Sequence, residues 1–431
     1  MADRRANIGS RPRPTAPMSV SDAAASALSG TTAPPQGKRR LLILVAIPAI
    51  QREDGHWLLP TKLVTGMRAY AEQWRGPVML GLQPGHRPSA ELDNAYWAPE
   101  ALPFQVQTFS FSELAERGHA ALENSLVMAM LHHELHGLAR RCREVGSLFV
   151  VGTELTLRTQ VQIARSLHKP GPTLVKKLIW LAMNHRGALR DIAEAHGLQC
   201  NGTPTFDAYA HRNPHALLYF DNRTTADMLA SAQDIDTRFE RLKQRGRPHL
   251  FFSGRLHPIK GAHHLVPMAA HLRQLGTDFE LSIAGDGPLR GEIEAQIRAH
   301  GLQDQVRCLG TLRFADELMP LLRREIDLFT CPHLQGDPSC TYLETLSGAV
   351  PIVGYDNEAW QGLHRRSGAG VLCHSRDPVN LAAAVSTLVQ DVTALRNLAH
   401  KAVDFAQEHL FDIEFNRRIA HLKQVAAQGD A

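Results

Sequence analysis

His249-Leu-Phe-Phe-Ser253, followed directly by Gly254-Arg-Leu-His-Pro-Ile-Lys-Gly261, reads as a short strand breaking into a glycine-bounded loop. Residues 262–275 then read as a helix. A brief apolar run with no charged residue belongs in a parallel sheet covered on both faces. The pattern repeats downstream: strands at 279–284, 306–309, 326–330 and 350–354 alternate with helices at 289–300 and 340–346, and helices continue through 425. A charged helix at 226–245 precedes the block, ended by Gly246-Arg-Pro248. Upstream the alternation appears a second time, with strands at 41–50, 77–82 and 147–151, a helix at 61–74 and a helical stretch at 112–141. Two such blocks predict an α/β protein of two doubly wound Rossmann-like domains facing a central cleft, where small ligands usually sit. The expected boundaries are a disordered leader at 1–38, domains at 39–240 and 241–408, and a closing helix at 409–431 placed to cross back to the N-terminal domain. No sequence repeat links the blocks.

Charge is distributed unevenly over the 431 residues, whose formal total is +4. Residues 1–40 hold seven basic side chains against two acidic ones, so the remaining body carries −1. A nucleic-acid binder with a basic face is therefore disfavoured. At 44% apolar and 21% charged residues the composition is globular. Six cysteines without a Cys-x-x-Cys pair exclude a disulfide framework or zinc knuckle and suit a reducing, cytoplasmic setting. The apolar run Leu41–Ile50 has ten residues, about half of what a membrane span needs. It follows Lys38-Arg39-Arg40, like a signal peptide, but leads to Gln51-Arg-Glu-Asp54 with no small-residue cleavage site.

Several motifs carry chemistry. In the 254–261 loop, backbone N–H groups, Arg255 and Lys260 converge where a strand meets a helix, which suits an anion such as phosphate. The plainer reading is a turn bearing two exposed cations. A second anion site is read in Gln335-Gly-Asp-Pro-Ser-Cys-Thr-Tyr-Leu-Glu344, where Ser339 caps a helix that Gly348 ends. There Glu344 reads as a ribose acceptor or as a solvated helical carboxylate. Gly285-Asp-Gly-Pro-Leu-Arg-Gly291 has the spacing Gly-x-Gly-x-x-x-Gly, and the next strand ends at Leu309-Gly-Thr311 without the acidic residue a nicotinamide cofactor needs. His132-His-Glu-Leu-His136 places His132 and His136 on one helical face, but the zincin position is Gly137, so surface histidines are the preferred reading and no metal site is expected. Lys176-Lys-Leu-Ile-Trp-Leu-Ala-Met183, with His185, Arg186 and Arg190, fits either a core-facing helix with basic exposed positions or a contact with an anionic membrane.

Taken in order, Gly254-Arg-Leu…Lys260-Gly261, Ala284-Gly-Asp-Gly-Pro-Leu-Arg290 and Leu343-Glu-Thr…Gly348-x-x-Pro351-Ile-Val resemble the donor domain of retaining, family-4-type glycosyltransferases of the GT-B fold (glycosyl transferases group 1). The N-terminal half resembles that family only in layout, and Gln199–Tyr209 looks like a subgroup feature without an assigned role. The resemblance implies a nucleotide-diphosphate sugar as donor, a glycan or lipid-linked acceptor, polysaccharide or glycoconjugate synthesis, and no cofactor or active-site metal. It gives Arg255 and Lys260 the donor diphosphate, Glu344 the ribose hydroxyls, and the backbone of Ser339, Cys340 and Thr341 a phosphate contact, with Gly254 allowing close approach. The segment around Leu309 and Leu312 would pack on the base. The implied chemistry is front-side attack, a donor phosphate oxygen taking the acceptor proton. The family pairs two Glu eight positions apart, and here the earlier position is Gly336, so Asp337 becomes the candidate for contacting the transferred sugar. On the acceptor side, Gly55 and Glu154 are positional candidates. The expected location is cytoplasmic, peripheral on the cytosolic face of a membrane. Alternatives carried forward are an NAD(P)-dependent oxidoreductase on paired Rossmann domains, a non-catalytic sugar sensor, and a nucleotide-sugar epimerase.

Overall fold

A computed structural model describes residues 39–85 and 94–429; the expected leader at 1–38 lies outside the described residues. The N-terminal domain is built from β1 (Arg40–Ala49), β2 (Trp57–Pro60), β3 (Val78–Pro84), β4 (Asn94–Trp97), β5 (Gln105–Thr108), β6 (Ser125–Met130), β7 (Leu148–Thr153), β8 (Gly197–Asn201) and β9 (Ala216–Tyr219). Seven of these form one parallel sheet in the order β5-β3-β1-β6-β7-β8-β9, while β2 and β4 pair as an antiparallel ribbon. The C-terminal domain contains β10 (His249–Ser253), β11 (Glu280–Ala284), β12 (Val306–Gly310), β13 (Leu328–Cys331), β14 (Ile352–Tyr355) and β15 (Gly370–Cys373). They make a second parallel sheet ordered β12-β11-β10-β13-β14-β15. Both strand orders reverse direction once, between β1 and β6 and between β10 and β13. Crevices open at the carboxyl ends of the strands beside such reversals, and both domains turn theirs toward the shared cleft.

Residues 112–141 depart from the helical expectation. Helices cover only Phe111–Arg117 and Leu138–Glu144, and between them Ser125-Leu-Val-Met-Ala-Met130 is a buried strand paired with β1 on one side and β7 on the other. Leu, Met and Ala favour helix by at most a few tenths of a kcal/mol per residue. Burying one large apolar side chain between two faces of a sheet yields about 1.5–3 kcal/mol. Leu126 and Val127 are fully buried, so packing decides the outcome. As a result His132 and His136 share no helical face. They flank a short 3-10 turn at His133–Leu135, in the loop after β6.

The chain ends on the domain where it began. Phe415, Ile419, Leu422 and Val425 of the helix Phe411–Gly429 join the core on one face of the N-terminal sheet, and the Phe415 ring lies 5.4 Å from Tyr70. Gln199 receives a role from the same helix, hydrogen-bonding Arg418 and approaching His421. Gly202, Thr203 and Asp207 of the 199–209 segment meet the C-terminal domain. A Cβ at Gly202 would strike Pro338, and one at Gly362 would strike Thr203. Thr156 and Arg158 reach Glu358 at 3.1 and 3.3 Å, and Asp207 pairs with Arg365 at 2.7 Å. These contacts bring the two domains together along the cleft.

Candidate active site

The loop after β10 is held by its neighbours' backbones. Gly254 N–H donates to Ala284 (3.1 Å), Leu256 N–H to Asp286 (2.9 Å), and Gly285 N–H to Gly310 (2.7 Å), so the ends of β10, β11 and β12 are stitched together. Gly285 has φ 129°, and a Cβ there would collide with the Gly254 carbonyl. Glycine at this position lets two loops touch, which accounts for the Gly-x-Gly-x-x-x-Gly run without a dinucleotide.

Beneath these loops lies a cavity of about 310 Å³. Gly254, Arg255, Thr341, Glu344 and Leu312 line it, so five of the expected donor residues come together. Leu309 does not join them; it sits on edge strand β12, 39% exposed, while Thr311 and Leu318 take the lining position beside Leu312. Glu344 is buried and accepts from Arg223 at 2.9 Å, and the Arg223 guanidinium rests 4.0 Å from the Phe314 ring centroid. Arg223 lies on the segment joining the two domains and carried no motif signal, so its place at the cavity was not legible.

Lys260 lies away from this cavity, and the plainer reading of it as an exposed cation fails. It is 5% exposed and pairs with Asp337 at 2.7 Å. Burial raises the Asp337 carboxyl's pKa, but the Lys260 ammonium beside it, with His333 and Gln335, leaves it below the ordinary value. Both ring nitrogens of His333, Gln335 Oε1 and Asp337 Oδ1 are buried with no hydrogen-bond partner among the described residues. Burial, helped by the Lys260 charge, lowers His333 to about 3, so its imidazole is neutral. The loop after β13 thus presents a set of unanswered polar atoms beside a buried cation, an arrangement that suits hydroxyl groups of a ligand. His333 and Gln335 were missed because a single sequence marks them only as residues following a strand.

A carboxylate at position 336 has no room. A Cβ on Gly336 would come within 2.8 Å of Glu358 Cβ, and the Gly336 N–H is already held by Gln162 at 3.3 Å. The next helix, Thr341–Ser347, starts one residue later than expected, with Cys340 before it and no side-chain cap. Ser339 instead donates to Thr341 Oγ1 at 3.2 Å. From the opposite wall, Lys62 reaches Asp221 at 2.5 Å and Cys340 Sγ at 3.9 Å. Burial raises the Cys340 thiol to about 12, leaving it un-ionised.

Residues 247–391 match the family model for glycosyl transferases group 1. The C-terminal domain thus carries the likeness to group 1 glycosyl transferases. The chain is 28% identical over 188 residues to alpha-D-kanosaminyltransferase of Streptomyces kanamyceticus, covering 44% of this chain and 48% of the relative. It spans about half or less of the length of the curated relatives it matches. The fold extends further. Anabaena Alr3699/HepE, solved in complex with UDP, superposes with a TM-score of 0.61 at 17% identity, over 89% of this chain and 98% of that one. Sucrose-phosphate synthase from Thermosynechococcus elongatus gives 0.62 at 13% identity, over 90% and 100%. The molecule therefore has the GT-B fold.

Facing the C-terminal domain, the N-terminal wall is of another kind. A cavity of about 300 Å³ is lined by His132, His133 and Glu154 together with Trp180, His185 and Tyr209. His133 meets the Trp180 ring edge-on at 5.3 Å. His136 packs on Gly187 and bonds Asp191 at 2.6 Å, which fixes the loop after β6 against the helix Pro172–Glu194. The histidines are thus part of a cavity wall, not scattered over the surface. Burial raises the pKa of Glu154, and the charges of Asp221 on the same domain and Asp337 across the cleft add to the rise. Gly55 lines neither cavity; it sits at a turn between β1 and β2 with φ 86° and faces Pro99. Among the described residues no cluster of His, Cys, Asp or Glu has the makings of a metal site.

Proposed function

We propose that the protein transfers a hexose-type sugar from a nucleotide-diphosphate sugar to a glycan or lipid-linked acceptor, with retention of configuration, in polysaccharide or glycoconjugate synthesis. The observation that carries this is the 310 Å³ cavity, where Arg255, Thr341 and Glu344 meet inside the domain that matches group 1 glycosyl transferases. Arg255 gives a diphosphate paired donors in a fixed fork. Lys260 has three ammonium protons, of which Asp337 engages one, leaving two for phosphate or leaving-group oxygens. Glu344 receives the ribose diol, for which it must share or release Arg223. Asp337, His333 and Gln335 answer the hydroxyls of the sugar, and the backbone of Ser339, Cys340 and Thr341 completes the phosphate contacts.

Preplaced cations stabilise the charge that develops on the departing diphosphate, which is why the proposal includes no divalent metal and no cofactor. The acceptor takes the opposite cavity, with its rings against a sugar face and Glu154 at the border between acceptor and donor. Retention follows if the acceptor hydroxyl attacks from the side the diphosphate leaves, its proton passing to a phosphate oxygen. HepE, of the same fold, was solved with UDP and with UDP-glucose, which supports a uridine or similar nucleotide here. A cytoplasmic location, with peripheral contact at an anionic membrane, belongs to the same proposal. The nicotinamide alternative loses its footing because a Cβ at Gly285 would strike Gly254 and β12 ends at Leu309-Gly-Thr311 with no Asp or Glu at its tip.

Incubation with UDP-, ADP- and GDP-sugars and acceptor glycans, followed by chromatography of the released nucleoside diphosphate, tests the assignment. Near-wild-type release by both Arg255→Ala and Lys260→Ala would sink it.

A further inference from the structure

The Pro172–Glu194 helix is not the core-facing element that was the plainer reading of its sequence. Over its 23 residues only Leu181, Asp191 and Ile192 are buried. Val175, Ile179 and Met183 stand one above another at four-residue spacing and point outward, as does Trp180, with exposure rising from 39% at Trp180 to 68% at Met183. Leu167, at the end of the neighbouring helix Leu157–Leu167, adds a fifth large apolar side chain at 62%. Half of the ten exposed large apolar residues among the described ones therefore fall within seventeen positions. Exposed apolar side chains are ordinary when scattered and informative when gathered.

Charge is segregated to the same place. From Leu155 to Arg190 there is no Asp or Glu, while seven Lys and Arg occur, although the body of the chain carries −1. Among the described residues only Arg158 of the seven is ion-paired, to Glu358. Lys176 and Arg186 flank the apolar row, and the Lys177 ammonium sits 3.8 Å from the Trp180 ring centroid, in the manner of side chains at a water–lipid boundary. No helix among the described residues is long and apolar enough to cross a membrane, so the face would rest on one.

We propose that this face docks the protein on an anionic lipid surface, with Leu167, Val175, Ile179 and Met183 entering the headgroup boundary and the surrounding cations meeting lipid phosphates. The purpose it serves rests on the transferase reading. Trp180, Asn184, His185 and Ala188 of the same helix line the histidine-bearing cavity, so docking sets the proposed acceptor cavity beside the lipid. A glycan carried on a lipid is the acceptor class that gains from this.

Sedimentation of the full chain with vesicles of phosphatidylcholine, alone or with phosphatidylglycerol, tests the proposal. Wild type is expected on the anionic vesicles only, and less in high salt. Each basic residue near such a surface is worth about a factor of five in binding, so Lys176→Glu/Lys177→Glu should weaken it about twenty-fold or more. Ile179→Glu/Met183→Glu should remove it at any salt. All four positions are on the surface, and unchanged melting verifies the fold. Equal binding to neutral vesicles, or binding that survives in both variants through the basic leader, overturns the proposal. So does a dimer that Ile179→Glu/Met183→Glu dissolves without any vesicle binding, since the occupant is then a second copy. Stabilisation by nucleoside diphosphates is read in parallel. Its absence would remove the transferase reading and leave the vesicle result standing, and its persistence in variants that no longer bind vesicles separates the two.

Discussion

The two walls of the cleft are built on the same topology and furnished differently. The C-terminal wall holds paired charge: the buried Lys260 with Asp337, on loops whose backbones bond to one another, and the buried Glu344 with the exposed Arg223. The N-terminal wall holds rings, with His133 against Trp180 beside Tyr209, and Glu154, the carboxylate lining their cavity, has a raised pKa. Fixed charge suits a ligand that stays ionised throughout the physiological range, as the doubly esterified diphosphate of a nucleotide sugar does. Rings around an open cavity suit a neutral ligand recognised by shape. On the proposed reading, the charged wall would recognise the donor by electrostatics and the ringed wall the acceptor by stacking.

The largest test of that contrast lies on the charged wall. Arg255→Ala and Lys260→Ala should each lower transfer by about a thousandfold, the scale for losing a donor aimed at developing charge. The two should part in stability. Removing Lys260 strands the largely buried Asp337 carboxylate at a cost of about 3–5 kcal/mol, whereas Arg255 is exposed and its loss should lower melting by less. Lys260→Met/Asp337→Asn should recover much of the lost melting temperature in calorimetry and none of the transfer. Recovery of transfer would mean that the pair is only structural.

Next in size, Glu344→Ala should weaken nucleoside diphosphate binding about tenfold to a hundredfold in titration calorimetry, by removing a charge-assisted hydrogen-bond partner of the ribose. On the ringed wall the effect should be smaller and of another kind. Trp180→Ala should raise KM for the acceptor about three- to tenfold, in line with one lost ring contact, while nucleotide binding stays put. A Trp180→Ala change that weakened nucleotide binding instead would erase the division between the walls.

Legibility followed the same division. The donor loops could be read because glycines and cations cluster in short sequence: Gly254, Arg255 and Lys260 lie within seven residues, and Glu344 lies four residues before Gly348. The ring-lined cavity could not be read, because its residues arrive from the loop after β6, the end of β7 and the helix Pro172–Glu194, and no local spacing joins them. Strand β6 itself was hidden by helix-favouring residues that only its two neighbouring strands override. Arg223 and His333 escaped for a related reason. Each gains meaning from a partner more than seventy residues away in sequence or from burial, and neither is visible in the chain.

The smallest effect concerns acid. His333 and His249 are buried and neutral, lowered by burial to about 3 and about 4. Below the ordinary imidazole pKa the unfolded chain binds protons that these side chains refuse, so stability is full above about pH 6.5 and declines as pH falls toward 4. Each buried imidazole contributes at most about 1.4 kcal/mol per pH unit in that window. Melting of the donor domain should therefore fall on acidification through it, and His249→Asn should flatten the dependence. A slope unchanged by that substitution would mean that His249 is not held neutral.

The most direct measurement of the central claim is thermal stabilisation across a panel of nucleoside diphosphates and their sugars. One of them should raise the melting temperature of the wild-type chain, by about 2.7 kcal/mol of stability at a hundred times its dissociation constant. The same ligand should leave Arg255→Ala and Glu344→Ala unmoved. Equal stabilisation of wild type and both variants would place the nucleotide elsewhere and contradict the account.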